Sequence, residues 1–274
     1  FQPAELSKVL LAVFFASYLV ANRDNLALAG RKVLWMSLPR ARHLGPLLIV
    51  WVASIGVLVL QKDLGSSVLL FGLFVVVLYV ATDRPSWLLI GAALFLPAAW
   101  FAATHLHHVQ QRINGWLHAT DNAVYNAAGG SWQLLTGMFG MSTGGLMGAG
   151  WGKGSPTLVT FANSDFIFAS LGEELGLTGT LVLLMLYLVL IQRGLRIAVS
   201  LRDGFGKLLA VGLSFAIALQ IFVVIGGVTR LIPLTGLTLP FLAYGGSSLI
   251  ANWIILALLL RLSDAARRPA THAP

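Results

Sequence analysis

The sequence predicts an all-α fold, a polytopic transmembrane helical bundle of about seven spans, with a large extracytoplasmic loop and a re-entrant segment near 231–248. Three observations carry that prediction. Mean hydropathy is +0.84 and hydrophobic residues make up 57% of the chain. Charged residues make up only 10%, where a soluble domain carries about 25%. The apolar runs are continuous and approach the ~20 residues that cross about 30 Å of hydrocarbon. A β-barrel requires alternating strands of about ten residues instead. With no cysteine, disulfides and thiolate metal sites are excluded.

Seven runs are placed as spans: 4–21, 45–60, 65–81, 86–103, 175–192, 208–229 and 248–262. The first opens with Pro3, suited to the first helical position, and Glu5, whose charge complements the helix dipole. Glu5 and Lys8 stand at i, i+3 on one face. Two readings stay open for them: an interfacial ion pair, or an acid and base lining an outward-facing polar cavity. Gln61-Lys62-Asp63-Leu64-Gly65 forms a tight turn before the third span, where Asp63 suits an N-cap. Pro97 is expected to kink the fourth span.

The connections set the orientation. Thirteen of the eighteen Lys/Arg, from Arg23 to Arg268, fall on one side if the spans alternate. Lys8, Lys62, Arg112, Lys153 and Arg230 fall on the other, with six of the ten acids. The positive-inside rule makes the first side cytoplasmic. Residue 1 is then outside, and the C-terminus is cytoplasmic. The pI of about 10.3 follows from this one-sided distribution, so anionic membrane lipid is the expected partner and nucleic acid is not. The chain opens on Phe1-Gln2-Pro3 with no signal-peptide pattern, and an upstream portion is expected.

The outside face receives the segment 104–170, too long for a plain connection. Trp116, Trp132, Phe139 and Trp151 are expected to hold it against the membrane surface. It holds eight glycines between Gly137 and Gly154. Gly148-Ala149-Gly150-Trp151-Gly152-Lys153-Gly154 lacks the glycine and the hydroxyl of a phosphate loop, and no strand precedes it. It reads as a flexible loop that admits a large substrate, with plain flexibility as the alternative. His105, His107, His108 and His118 have no convergent spacing or adjacent acid for a metal site and read as interfacial.

Three of the ten acids cluster between Asn163 and Gly176. Ser170 and Glu173 match the S-x-x-E capping box, and Glu174 suits a helix start. Asp165 is followed by Phe166-Ile167-Phe168, so apolar surroundings are expected to raise its pKa and make it a better base. The run from Pro233 to Ser248 is apolar yet carries two prolines and three glycines. Irregular backbone at membrane depth is tolerated only inside protein or beside a cavity.

Four blocks together resemble the SEDS family of cell-wall proteins, the RodA and FtsW group. They are Phe1-Gln2-Pro3-Ala4-Glu5, Gln61-Lys62-Asp63-Leu64-Gly65, Ser164-Asp165-Phe166-Ile167-Phe168-Ala169 with Gly172-Glu173-Glu174-Leu175-Gly176, and Pro240-Phe241-Leu242-Ala243-Tyr244-Gly245-Gly246-Ser247-Ser248. The chain departs from the family pattern at Lys62, where proline is usual, at Ser66, where threonine is usual, and at Asn163-Ser164, in place of His-Thr. The resemblance implies one membrane domain over 1–265, lacking its first spans, and a short cytoplasmic tail over 266–274.

It further implies a multi-pass plasma-membrane glycosyltransferase that polymerises lipid II into the glycan strands of peptidoglycan at the outer face, for cell elongation or division. Asp165 matches the family's essential aspartate and is the expected catalytic base. Glu5 and Lys8 match a cavity-lining pair. Substrate contacts are expected from these two with Arg112, Asp63, Ser247 and Ser248. A divalent cation (Mg2+ or Mn2+) on Asp165 or Glu5 is compatible with a pyrophosphate leaving group, and no nucleotide is required. Lipid II, the undecaprenyl-linked glycan and a class B penicillin-binding protein, the transpeptidase, are the expected partners. A lipid-linked oligosaccharide flippase and a scaffold for that penicillin-binding protein are the alternatives.

Overall fold

The computed structural model describes residues 2–22, 31–33, 36–38 and 63–267, with isolated positions at 45, 49, 52 and 56. The run 45–60, placed above as a span, lies outside the described residues, as do Gln61 and Lys62. Among the described residues six helices are long and apolar enough to cross a membrane. They are α1 (Pro3–Ala21), α2 (Leu64–Thr82), α3 (Ser86–His105), α7 (Ile167–Ser200), α8 (Gly204–Val228) and α9 (Gly246–Arg267). A short antiparallel hairpin, β1 (Arg31–Val33) with β2 (Met36–Leu38), follows α1.

Lipid satisfies no backbone hydrogen bond, so each apolar run closes its own bonds as a helix. The ends are set locally. Asp63 caps α2, its carboxylate accepting from the Ser66 backbone N–H at 3.0 Å and the Ser66 hydroxyl at 2.8 Å. Asp203 caps α8 by accepting from the Gly206 N–H at 2.8 Å. Pro97 lies inside α3 without ending it.

Helix α8 is the hub. It packs against α1, α2, α7 and α9, and Leu213, Ala216, Ile217, Gln220 and Val224 are among its buried residues. Because lipid tails are as apolar as leucine, such packing relies on small residues that let backbones approach. Gly194 of α7 is one: a Cβ there would strike the Ser214 hydroxyl of α8.

The long loop is helical rather than loose. It contains α4 (His107–Leu117), α5 (Asn122–Tyr125), α6 (Trp132–Gly144) and a 3-10 turn at Pro156–Leu158. Trp116 Nε1 donates to the Arg230 carbonyl at 3.0 Å, and Arg230 Nε donates back to the Trp116 carbonyl at 2.9 Å. Phe139 and Trp151 stay exposed. His105 stacks on Phe101, and no three His, Asp or Glu among the described residues come together as a metal site.

Helix α7 begins earlier than expected and is broken once. Gly176 has φ 68° and ψ −171°, a conformation only glycine adopts readily. The 24 residues beyond it rise about 36 Å, one membrane crossing. The glycine loop docks into that break. Ala149 and Gly150 N–H groups donate to the Glu173 and Glu174 carbonyls, and Leu177 and Thr178 N–H groups donate to the Gly145 and Leu146 carbonyls. The flexible-loop reading therefore gives way to a loop held by backbone pairing.

The capping box is also corrected. Ser170 lies inside α7, whose N-cap is Phe166 without any side-chain bond. Glu173 Oε1 instead accepts from the Ser155 N–H at 3.0 Å, because the folded loop brings that donor within reach. The irregular segment runs from the end of α8 to Gly245, so Ser247 and Ser248 fall in the first turn of α9. Its interior residues Leu237, Leu239 and Ala243 are buried, and Tyr187 of α7 donates to the Pro240 carbonyl at 2.6 Å.

Candidate active site

Asp165 lies on the last turn before α7 and is half-buried. It lines a cavity of about 550 Å3 together with Arg112, Trp116, Trp132, Phe161 and Gly236. The apolar run that follows it turns inward, Phe166 being 1% exposed. Burial raises the Asp165 pKa to about 6, opposed by the Arg112 guanidinium and reinforced by the Asp63 charge. A carboxylate so placed is a stronger base than a solvated one and still loses its proton near neutrality.

Arg112 comes from α4. Its Nη1 donates to the carbonyls of Thr235 at 2.6 Å and Leu234 at 3.3 Å. Among the described residues its Nη2 and Nε carry no hydrogen bond, so the cation is anchored but retains donors. Gly236 completes the floor with φ +77°, and a Cβ there would sit 3.6 Å from Arg112 Nη2 and 3.7 Å from Asp165 Oδ2.

Glu5 and Lys8 are elsewhere. They form a 2.6 Å ion pair with their side chains 4% and 2% exposed. Lys8 Nζ also donates to Gln220 Oε1 at 2.6 Å and Asn252 Oδ1 at 3.1 Å. Glu5 Oε1 accepts from Gln220 Nε2 at 3.2 Å and the Thr238 hydroxyl at 3.1 Å. Thr238 donates in alternation to Ser248 Oγ, 2.8 Å away, which also accepts from Asn252 Nδ2 at 3.3 Å. Ser247 Oγ accepts the Gln2 N–H at 3.1 Å.

Neither sequence reading of the pair survives unchanged. It is buried among α1, α8 and α9 and does not stand on a solvated surface. It does not line the Asp165 cavity, because the segment 234–238 runs between them, with Gly236 on the cavity side and Thr238 on the network side. Asp63, Ser247 and Ser248 likewise do not line the cavity. Asp63 reaches Asp165 only through its charge. Of the expected site residues, the cavity brings together Asp165 and Arg112.

Sequence reasoning missed Gln220, Asn252 and Thr238. The signal was present for two of them, since a polar side chain inside an apolar span is expected to face the bundle interior. Trp116 and Trp132, read as surface anchors, turn out to line the cavity.

The comparisons agree with this architecture. Peptidoglycan glycosyltransferase RodA of Mycobacterium tuberculosis is 51% identical over 273 residues, covering 100% of this chain and 57% of that protein. Its Mycobacterium leprae counterpart is 49% identical, covering 58% of that protein. The chain thus spans somewhat over half the length of these curated relatives. A probable FtsW of Geobacter metallireducens is 33% identical over 264 residues, 96% of this chain and 66% of that one. Among solved structures, a chain of a peptidoglycan synthase complex that coordinates polymerization and crosslinking superposes with TM-score 0.72 at 27% identity, covering 98% of this chain and 71% of that one. A variant of the rod shape determining protein RodA of Thermus thermophilus superposes with TM-score 0.58 at 25% identity, covering 98% and 68%. The family model of the cell cycle proteins FtsW, RodA and SpoVE matches residues 1–268, and with these relatives and the six apolar helices the chain belongs to that family of multi-pass membrane proteins.

Proposed function

We propose that the protein is a peptidoglycan glycosyltransferase that polymerises lipid II at the outer face of the plasma membrane, with Asp165 as the general base. The observation that carries this reading is a half-buried carboxylate of raised pKa beside an anchored arginine and two tryptophans in one cavity. In the reaction an acceptor sugar hydroxyl attacks the anomeric carbon of the donor. Its proton passes to Asp165 as the new C–O bond forms. The bond to the lipid pyrophosphate breaks, and the electron pair leaves on phosphate oxygen. Positioned base catalysis contributes typically about 10²–10⁴-fold.

Arg112 is placed to receive the leaving pyrophosphate, since its free Nη2 and Nε suit phosphate oxygens. Aromatic faces such as Trp116 and Trp132 suit the apolar faces of a sugar ring. Lys8 takes no direct part in this scheme, because its ammonium is spent on Glu5, Gln220 and Asn252. The pair instead holds Thr238, and through the 234–238 segment the floor beneath Asp165. Glu5 is likewise unsuited to a cation, since both carboxylate oxygens are engaged.

A Mg2+ or Mn2+ ion would be held here by the Asp165 carboxylate alone, which suits a hard cation that arrives with a phosphate-bearing substrate. Such an ion would supply charge neutralisation to the leaving group. Orientation by the positive-inside rule puts residue 1 and the cavity outside and the end of α9 in the cytoplasm. Similarity to a chain of a synthase complex supports a class B penicillin-binding protein as the crosslinking partner.

The test is full-length protein in liposomes with lipid II. Glycan strands are expected from the wild type and none from Asp165→Asn, with thermal stability retained. Full polymerisation by that variant, or lipid transfer between leaflets without strands from the wild type, would overturn the reading.

A further inference from the structure

The far end of α7 builds a second cavity that the proposed reaction does not use. It measures about 620 Å3 and lies between the last turns of α7 and α9. It is about 40 Å along α7 from Asp165. Arg193, Arg196 and Ser200 project into it from α7, and Ser263 and Arg267 from α9. The spacing explains the convergence. Residues 190, 193, 197 and 200 form one i, i+3, i+4 stripe, and 256, 260, 263 and 267 form another, so two facing stripes make one groove.

Each stripe changes character along its length. Toward the membrane interior the lining is apolar, with Leu190, Leu256 and Leu260. Toward the helix ends it is cationic and hydroxylated. No acid lines the cavity; Asp264 is on the neighbouring face of α9. Among the described residues the three arginines form no ion pair, and they gather a charge of +3 around one concave surface. Guanidinium groups bind phosphate through paired N–H donors. A leucine wall running from there into the apolar depth of the bundle suits an acyl chain.

We propose that this cavity is a binding site for an anionic phospholipid, with its phosphate held by Arg193, Arg196 and Arg267, its glycerol region by Ser200 and Ser263, and an acyl chain along Leu190, Leu256 and Leu260. Charge complementarity and the graded lining decide for a lipid over a soluble anion, which has no use for the leucines. Basic pockets between helix ends at a membrane face are suited to such headgroups. The site joins α7, which leads to Asp165, to α9, which carries Ser248 and Asn252.

The test uses purified full-length protein, delipidated in neutral detergent and titrated with phosphatidylglycerol or phosphatidylcholine under native mass spectrometry. Phosphatidylglycerol is expected to bind first and most tightly. The triple variant Arg193→Gln/Arg196→Gln/Arg267→Gln is expected to lose roughly fivefold in phosphatidylglycerol affinity per arginine removed, with phosphatidylcholine binding unchanged. The control Arg202→Gln/Lys207→Gln, on the same membrane face but outside the cavity, is expected to bind like wild type. Equal losses in both variants would reduce the effect to general surface charge and overturn the site. Competition by millimolar inorganic phosphate would make it a free-anion site. A dimer lost in the triple variant with no change in lipid binding would assign the groove to a second copy. Either result overturns the proposal, and none of them bears on Asp165.

Discussion

At the scale of single residues, Asp165 carries the most testable chemistry. Its folded pKa of about 6 lies above the ordinary 3.8 because burial penalises the charged form. A base must be deprotonated, so polymerisation is expected to rise with pH through about 6 and level off above it. Arg112 lowers this pKa and Asp63 raises it. Arg112→Gln is therefore expected to move the midpoint upward and Asp63→Asn to move it downward, as read from pH–rate profiles with lipid II. Asparagine still caps α2, so the second shift arrives without a fold defect. Stability runs the opposite way with pH. The folded state holds this proton more tightly than the unfolded chain between pH 3.8 and about 6. The contribution is present below that window and lost as pH rises through it. Asp165→Asn, which resembles the protonated form, is expected to gain thermal stability over wild type as pH rises past 6, and melting curves at pH 5 and 8 check this.

At the scale of elements, the break in α7 and the loop docked into it act as one unit. Gly176 holds a backbone conformation closed to other residues, and a Cβ there would collide with Gly148 and Leu146. Gly176→Ala is expected to cost about 1–3 kcal/mol and to release the loop, seen as faster backbone exchange at Ala149 and Gly150. Unchanged exchange would show that the pairing does not depend on the break. This unit also shows where sequence reasoning stopped. Glu173 matched a capping box by spacing, yet its partner is the Ser155 N–H, eighteen residues away. A local motif identifies an acid with a free lone pair. Which donor reaches it depends on a loop path that no local spacing encodes.

At the scale of the whole molecule, the buried Glu5–Lys8 network ties α1, α8, α9 and the irregular segment together over separations of 212 to 244 residues. Removing one partner leaves an uncompensated buried charge, and such losses cost about 3–5 kcal/mol. Lys8→Met is expected to lower the thermal midpoint strongly, and Lys8→Met with Glu5→Gln to recover part of it. A double variant no better than the single one would show that the hydrogen bonds, not the charge, are what matter. The same separation of network and cavity makes Thr238→Val informative: it spares every cavity-lining side chain yet is expected to reduce turnover by loosening the floor under Asp165, with binding of lipid II little changed.

The sequence by itself determined that this is a helical membrane bundle, where most of its spans lie, and that Asp165 stands in apolar surroundings. Those features are local, because lipid obliges each apolar run to satisfy its own backbone and each charge near it to declare itself. Only the tertiary structure decided that Arg112 meets Asp165 while Glu5 and Lys8 do not, that Gln220, Asn252 and Thr238 complete the buried network, and that the glycine loop is held at Gly176. Those are pairings between helices far apart in the chain. The side chains that could pair are many, and the packing of α8 against its neighbours selects which of them do.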